Sequence, residues 1–253
     1  MPMDGSREGK SAFGQPVGAE VKGWNGPCPI PSGEALQGQQ CRVERLDGQR
    51  HARSLWEAWK GNDPSDPDDG VGRWTYLGGR PFHDAAGCYR WAEQRAKQSD
   101  PVFVAIVDHH TGQALGTASW LNLEPEHGTI ELGHISFSRA LSRTRMASEA
   151  LILMAAHAFA LGYRRLEWKC DALNAPSRRA AERLGFTFEG IFRQHRIVAG
   201  RNRDTAWFSL LDHEWRLLEP LYREWLAADN FDQHGRQKRS LSAMTKAVVE
   251  RGA

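Results

Sequence analysis

The chain lacks a C-x-x-C pair. Its four cysteines, Cys28, Cys41, Cys88 and Cys170, stand far apart, which argues against a structural zinc site or a dithiol redox motif and fits a reducing compartment. It also lacks any apolar run near the ~18–20 residues that cross a bilayer. The polar opening Met1-Pro2-Met3-Asp4-Gly5-Ser6 has no apolar stretch of signal-peptide length, so a soluble, cytoplasmic protein is expected. No excess of one charge is present: 33 Lys+Arg against 31 Asp+Glu leave a net +2, which proposes neither a nucleic-acid nor a membrane partner. No internal repeat is visible. What remains is 253 residues, 40% hydrophobic, enough for one main domain with extensions.

Residues 1–40 are rich in Gly and Pro without sustained periodicity and read as an irregular arm, with Phe13, Val21 and Trp24 as side chains able to dock on a core. Residues 41–228 read as the folded domain, and 229–253 as a charged, polar, mobile tail. Within the domain, Cys41–Leu46 alternates as a strand, and Ala52, Leu55, Trp56 and Trp59 then recur at helical spacing. Asn62–Gly72 is acidic, but Pro67 breaks the alternating ligand register of a calcium loop and no closing Glu stands at its end, which favours a solvated loop. A second helix is expected over Asp84–Lys97.

Pro101–Asp108 and Ala114–Glu124 read as strands around a His109-His110-Thr111-Gly112 turn. Those adjacent histidines point apart and have no third ligand nearby. Gly128–Ser138 is the next strand, where strict alternation puts Glu131, Gly133, Ile135 and Phe137 on one face and His134 on the other. A long apolar helix over Met146–Leu161 ends at Gly162, a strand follows with Leu166, Trp168 and Cys170 on its buried face, and a short helix spans Ala175–Leu184. A hairpin around Ala199-Gly200-Arg201 and a last helix complete the domain.

The stretch "SRTRMASEALILMAAHAFALGYRRLEWKCDALNAPSRRAAERLGF", with "IELGHISF" before it, resembles the acyl-CoA-binding core of the GCN5-related N-acetyltransferase superfamily. It is most similar to the branch of ribosomal-protein N-terminal acetyltransferases (RimJ/RimL). The resemblance covers roughly 40–226 and implies an α+β fold, a mixed, mostly antiparallel sheet flanked by helices. It also implies acetyl-CoA as cosubstrate without a metal, and direct transfer to the primary amine of a protein N-terminus or small molecule. A non-catalytic acyl-CoA sensor is the alternative. A homodimer would follow family habit.

A helix N-terminus presents unpaired N–H groups and a partial positive charge, so the turn Ser142, Arg143, Thr144, Arg145, Met146, Ala147 is the expected pyrophosphate cradle. The family pattern there is Q/R-x-x-G-x-G/A, and this chain keeps only its last small residue. Where the family has glycine, Arg145 either adds a guanidinium contact or weakens binding. Ser142 or Thr144 can also cap the helix.

The resemblance makes Asn174 a cap and pantetheine partner, and places Ser177 beside the CoA sulfur. The tyrosine that many members carry is replaced here by Ala181. Arg178, Arg179 and Arg183 face either the nucleotide phosphate or solvent, and an RNA-binding reading lacks interleaved aromatics. Glu131 is the candidate base, or a structural carboxylate paired with an arginine, and His134 is second choice, since it takes the opposite strand face unless a bulge intervenes. Ile135, Ser136 and Phe137 are expected along the cofactor, with backbone N–H groups of Ile135 and Ser136 on the thioester carbonyl. Trp74, Tyr76, His134 and Trp207 are expected around the acceptor, or the aromatics lie in the core.

Overall fold

A computed structural model describes residues 9–24, 26–61 and 72–252. Apart from Gly72, the acidic stretch considered above as a calcium loop lies outside them. In chain order the elements are β1 (Gly9–Lys10), β2 (Pro16–Val17), β3 (Leu36–Gln37), β4 (Cys41–Arg45), α1 (Gly48–Trp59), a 3-10 turn (Gly72–Leu77), α2 (Ala85–Ala96), β5 (Val102–Asp108), β6 (Ala114–Glu124) and β7 (Thr129–Phe137). There follow α3 (Arg145–Ala160), β8 (Arg165–Asp171), α4 (Ala175–Arg183), β9 (Thr187–Val198), β10 (Arg201–Leu211), α5 (Asp212–Leu226), a second 3-10 turn (Ala228–Asn230) and α6 (Leu241–Gly252).

The helix starts are written locally. Asp47, Asp84, Thr144 and Asn174 each accept a backbone N–H from the first turn of α1, α2, α3 and α4. At the end of α3, Gly162 takes the left-handed φ of +91° that lets the N–H of Tyr163 return to the Ala158 carbonyl.

Eight strands form one sheet in the order β3-β4-β5-β6-β7-β8-β10-β9. Every pairing is antiparallel except β7 with β8, which the α3 crossover makes parallel. One face, carrying Trp120, Ile130, Leu132, Leu166 and Trp168, packs on α3, α4 and α5. The other face buries Phe103, Ala105 and Val107 under α1, α2 and the first 3-10 turn, where Trp59, Trp74, Phe82 and Trp91 interlock.

The arm follows expectation only at Trp24, and the tail departs from it. In the arm, Trp24 packs on the first core and Cys28 is buried, whereas Phe13 and Val21 are exposed. After residue 228 the chain does not stay a polar tail: α6 buries Leu241, Met244 and Thr245 against α4 and α5. Few apolar residues are needed to dock so short a helix, and a charged average hides them.

Candidate active site

Glu131 lies on β7 between two bulges, and they decide what the site looks like. Pairing runs from Leu121↔Glu131 to Glu124↔Thr129, which leaves an extra residue on β6, and from Ser119↔Gly133 to Thr117↔Ser136, which leaves an extra residue on β7. Asn122 (φ +48°) and His134 (φ +47°) adopt the left-handed conformation at these two irregularities. An extra residue reverses the phase of everything beyond it. The strict alternation expected for this strand is therefore corrected: His134 shares the face of Glu131, whereas Ile135 and Phe137 turn to the α3 core. Ser136 falls on the Glu131 face, buried opposite Thr117, and neither hydroxyl has a partner among the described residues.

Glu131 is buried, and its ionic partner is Lys169 rather than an arginine. The Lys169 Nζ is 3.0 Å from Oε2, which also accepts from Asn122 Nδ2 at 2.5 Å. Oε1 takes no partner among the described residues and faces the bulge, 3.5 Å from where a Cβ on Gly133 would stand. Burial pushes the Glu131 carboxyl above the usual carboxylate range, against the opposing pull of Lys169. Lys169 also binds Glu167 at 2.7 Å and lies 4.0 Å from the centroid of the Trp207 ring. His134 stacks over Phe103 and its Nδ1 is 2.9 Å from Ser119 Oγ. Loss of hydration on its packed side, helped by nearby Arg95, holds its pKa below the ordinary imidazole value.

Hydrogen-bonded pairing of β7 with β8 covers only Thr129–Leu132 against Arg165–Trp168, although both strands continue. Beyond Leu132 and Trp168 they part, and α3 and α4 begin beside the opening. In the turn before α3, Arg143 adopts φ +63° and Thr144 Oγ1 caps the N–H of Ala147. The N–H groups of Arg143, Arg145 and Met146 take no acceptor among the described residues. These donors suit an anion such as a pyrophosphate. Ser142 is tied to the Ser138 carbonyl at 2.8 Å. Met146 packs against the first core and Ala147 is buried there.

The Arg145 guanidinium points away from this turn, to Gln39 Oε1, the Leu226 carbonyl and the Phe231 ring 4.6 Å off. Arg145 thus fastens the arm and the segment after α5 to the start of α3. Arg145→Ala is expected to cost about 1–2 kcal/mol, read as a lower melting temperature and faster proteolysis after residue 226. An unchanged melting temperature would refute the fastening.

On α4, Asn174 Oδ1 caps the Ser177 N–H at 3.2 Å. Ser177 Oγ accepts from Trp168 Nε1 at 3.0 Å and lies close enough to Cys170 to pull down the thiol pKa that burial raises. Arg178 bonds the Ala172 carbonyl, and Arg183, which the sequence left between two readings, donates to Ser148 Oγ at 2.7 Å in the first turns of α3.

Among the expected acceptor residues, Trp74 is corrected: it is 3% exposed and wedged against Trp59 and Phe82, a core aromatic. Tyr76 is exposed and its hydroxyl donates to the Leu173 carbonyl, joining the first 3-10 turn to the loop before α4. Trp207 lines a cleft of about 520 Å³ together with Asp100, Asn122, Glu167, Lys169 and His195. Sequence reading missed Asn122 and Lys169. Lys169 was visible as the polar alternate of β8, but nothing in the sequence named its partner.

An open, bulged β7 beside a parallel β8, with helix starts at its mouth, defines an acyl-CoA N-acyltransferase fold. Residues 51–187, more than half of the chain, match the Acetyltransferase (GNAT) domain, and the chain belongs to that family. A GCN5-related N-acetyltransferase from Brucella melitensis is 42% identical, with a TM-score of 0.83 over 89% of this chain and 100% of that one. The uncharacterized N-acetyltransferase p20 of Bacillus licheniformis is 30% identical over 112 residues, 44% of this chain, and the match spans 62% of that relative's length. The solved RimL, a ribosomal L7/L12 alpha-N-protein acetyltransferase, is 18% identical with a TM-score of 0.58 over 74% of this chain and 99% of that one, a likeness of fold. No helix among the described residues is long and apolar enough to cross a membrane.

Proposed function

We propose that the chain is an acetyl-CoA-dependent N-acetyltransferase that passes the acetyl group directly to a primary amine of a protein N-terminus or small molecule, in the cytoplasm. The observation that carries this reading is the opening between β7 and β8. It connects the face bearing the starts of α3 and α4 to the face bearing Glu131 and His134. Thioester and amine then meet from opposite sides of the sheet.

On the helix side, the backbone N–H groups of the Ser142–Ala147 turn hold the pyrophosphate, and Asn174 and Arg178 flank the pantetheine arm. The backbone of Ile135 and Ser136 polarises the thioester carbonyl. Ser177 accepts from Trp168, so its own O–H acts as a donor, and by turning from the Cys170 sulfur to that of CoA it assists thiolate departure with a hydrogen bond. On the other side, an acceptor enters past Trp207. An amine of pKa ~8–10 must lose a proton before or during attack. Glu131 takes that proton on Oε1: burial makes the carboxylate more basic, and Lys169 keeps it ionised. His134 is neutral at pH 7 and stands on the same face as a second proton acceptor.

Acetyl-CoA at about a hundred times its Kd should stabilise the fold by ~2.7 kcal/mol, a rise in melting temperature of roughly 5–10 °C for a chain of this size. Thiol release should then depend on added amine. No shift at millimolar acetyl-CoA would sink the proposal, and a shift without turnover across peptides, polyamines and amino-acid derivatives would favour an acyl-CoA sensor.

A further inference from the structure

Glu131 is held by a chain of contacts that begins outside the catalytic face. Asp100, in the turn before β5, accepts the N–H of Asn122 on Oδ1 at 3.0 Å and that of Leu123 on Oδ2 at 3.1 Å. A single carboxylate thereby satisfies both backbone donors that the β6 bulge takes out of the ladder. The left-handed conformation this sustains at Asn122 is one that asparagine tolerates, and it sends the side-chain amide inward onto Glu131 Oε2. From the opposite neighbour strand, Lys169 reaches the same oxygen, steadied by Glu167, which Arg165 holds in turn at 2.9 Å.

We propose that Asp100, Asn122 and Lys169 are positioning residues that lock Oε2 of Glu131 and turn Oε1 to the bulge at Gly133, where an acceptor amine gives up its proton. This rests on the reading of Glu131 as the base. The charged and titratable groups around Glu131 are Lys169, Glu167 and Arg165 on β8, His134 on β7 and Asp100 beyond β6. Asn122 and Lys169 both stabilise the ionised carboxylate, so releasing either raises the Glu131 pKa. Asp100 separates the two ways a remote acid can act. If it worked only through space, removing its negative charge would lower the Glu131 pKa. Acting through Asn122, its removal frees the amide and raises it.

The test is a carbon-13 NMR titration of side-chain carboxyls in full-length protein labelled on glutamate, with the Glu131 resonance assigned by its loss in Glu131→Gln. Lys169→Met and Asn122→Gly, the latter keeping the left-handed backbone accessible, are expected to raise the midpoint by about one unit or more. Asp100→Ala should raise it by a smaller amount. A midpoint that falls or stays unmoved in Asp100→Ala, with the fold intact by circular dichroism, overturns the role of Asp100. Unmoved midpoints in Lys169→Met and Asn122→Gly overturn the whole set. The base reading is judged separately: Glu131→Gln that turns over benzylamine, spermidine and a serine dipeptide amide as fast as wild type removes the base without touching the titration result.

Discussion

Glu131→Gln is expected to lower kcat for amine acetylation by about 100- to 10,000-fold, the usual contribution of a positioned general base. The glutamine keeps the volume and an acceptor oxygen for Asn122 and Lys169, so the site stays filled, but no proton can be taken up at Oε1. The affinity for acetyl-CoA should stay unchanged, because the turn before α3 that we propose holds the pyrophosphate lies beyond the strand opening, on the other face of the sheet. In wild type, turnover should fall as pH drops through the raised pKa of Glu131, which lies above the usual carboxylate range. Glu131→Gln should lose that limb while keeping any limb that belongs to the amine. Steady-state kinetics from pH 5 to 9, beside isothermal titration with acetyl-CoA, checks all of this. A fall of less than about threefold in kcat would place Glu131 among structural carboxylates.

Trp59→Ala is expected to destabilise the fold by about 3–5 kcal/mol, with a fall of roughly 10 °C or more in melting temperature. Trp59 is fully buried and touches Trp74, Phe82 and Trp91, with ring centroids 5.2, 6.0 and 5.8 Å away. Its removal leaves a cavity that rigid aromatic neighbours cannot close. This core also carries the first 3-10 turn and α2 over the face on which His134 stacks against Phe103. The KM of the amine should therefore rise, while that of acetyl-CoA, which we propose binds from the other face, should be affected less. Thermal melts and separate KM values for the two substrates decide it. A loss below about 1 kcal/mol would mean that the cluster repacks.

The caps Thr144 and Asn174 were legible because capping is local, and Asp47 and Asp84, which were not read as caps, obey the same rule: each of the four lies within three residues of the N–H it accepts. The succession of strands and helices from β4 to α5 was legible because periodicity and turn residues mark each element, and the mixed sheet followed from the family resemblance. The phase of β7 beyond Gly133, which the sequence left to the presence or absence of a bulge, was not legible for the opposite reason. A bulge is stabilised by the neighbouring strand, and nothing within "IELGHISF" distinguishes a bulged strand from a regular one. Glu149 makes the same point. It interrupts the apolar α3, yet it is buried because the N–H groups of Gln39, Gln40 and Cys41, more than a hundred residues earlier, converge on its carboxylate.

The sequence by itself determined the main elements between residues 41 and 228, the caps at Thr144 and Asn174, the family-like succession of β7, α3, β8 and α4, and the helix-start turn suited to an anion. All of these depend on interactions between residues close in the chain or on a repeating pattern. Only the tertiary structure decided which face His134 occupies, that Arg145 fastens the chain ends instead of extending into the cradle, that Trp74 is core, and that Asn122 and Lys169 close on Glu131. Each of these depends on pairing register or on a partner distant in sequence, and register is settled by the energy of the whole sheet rather than by any one segment.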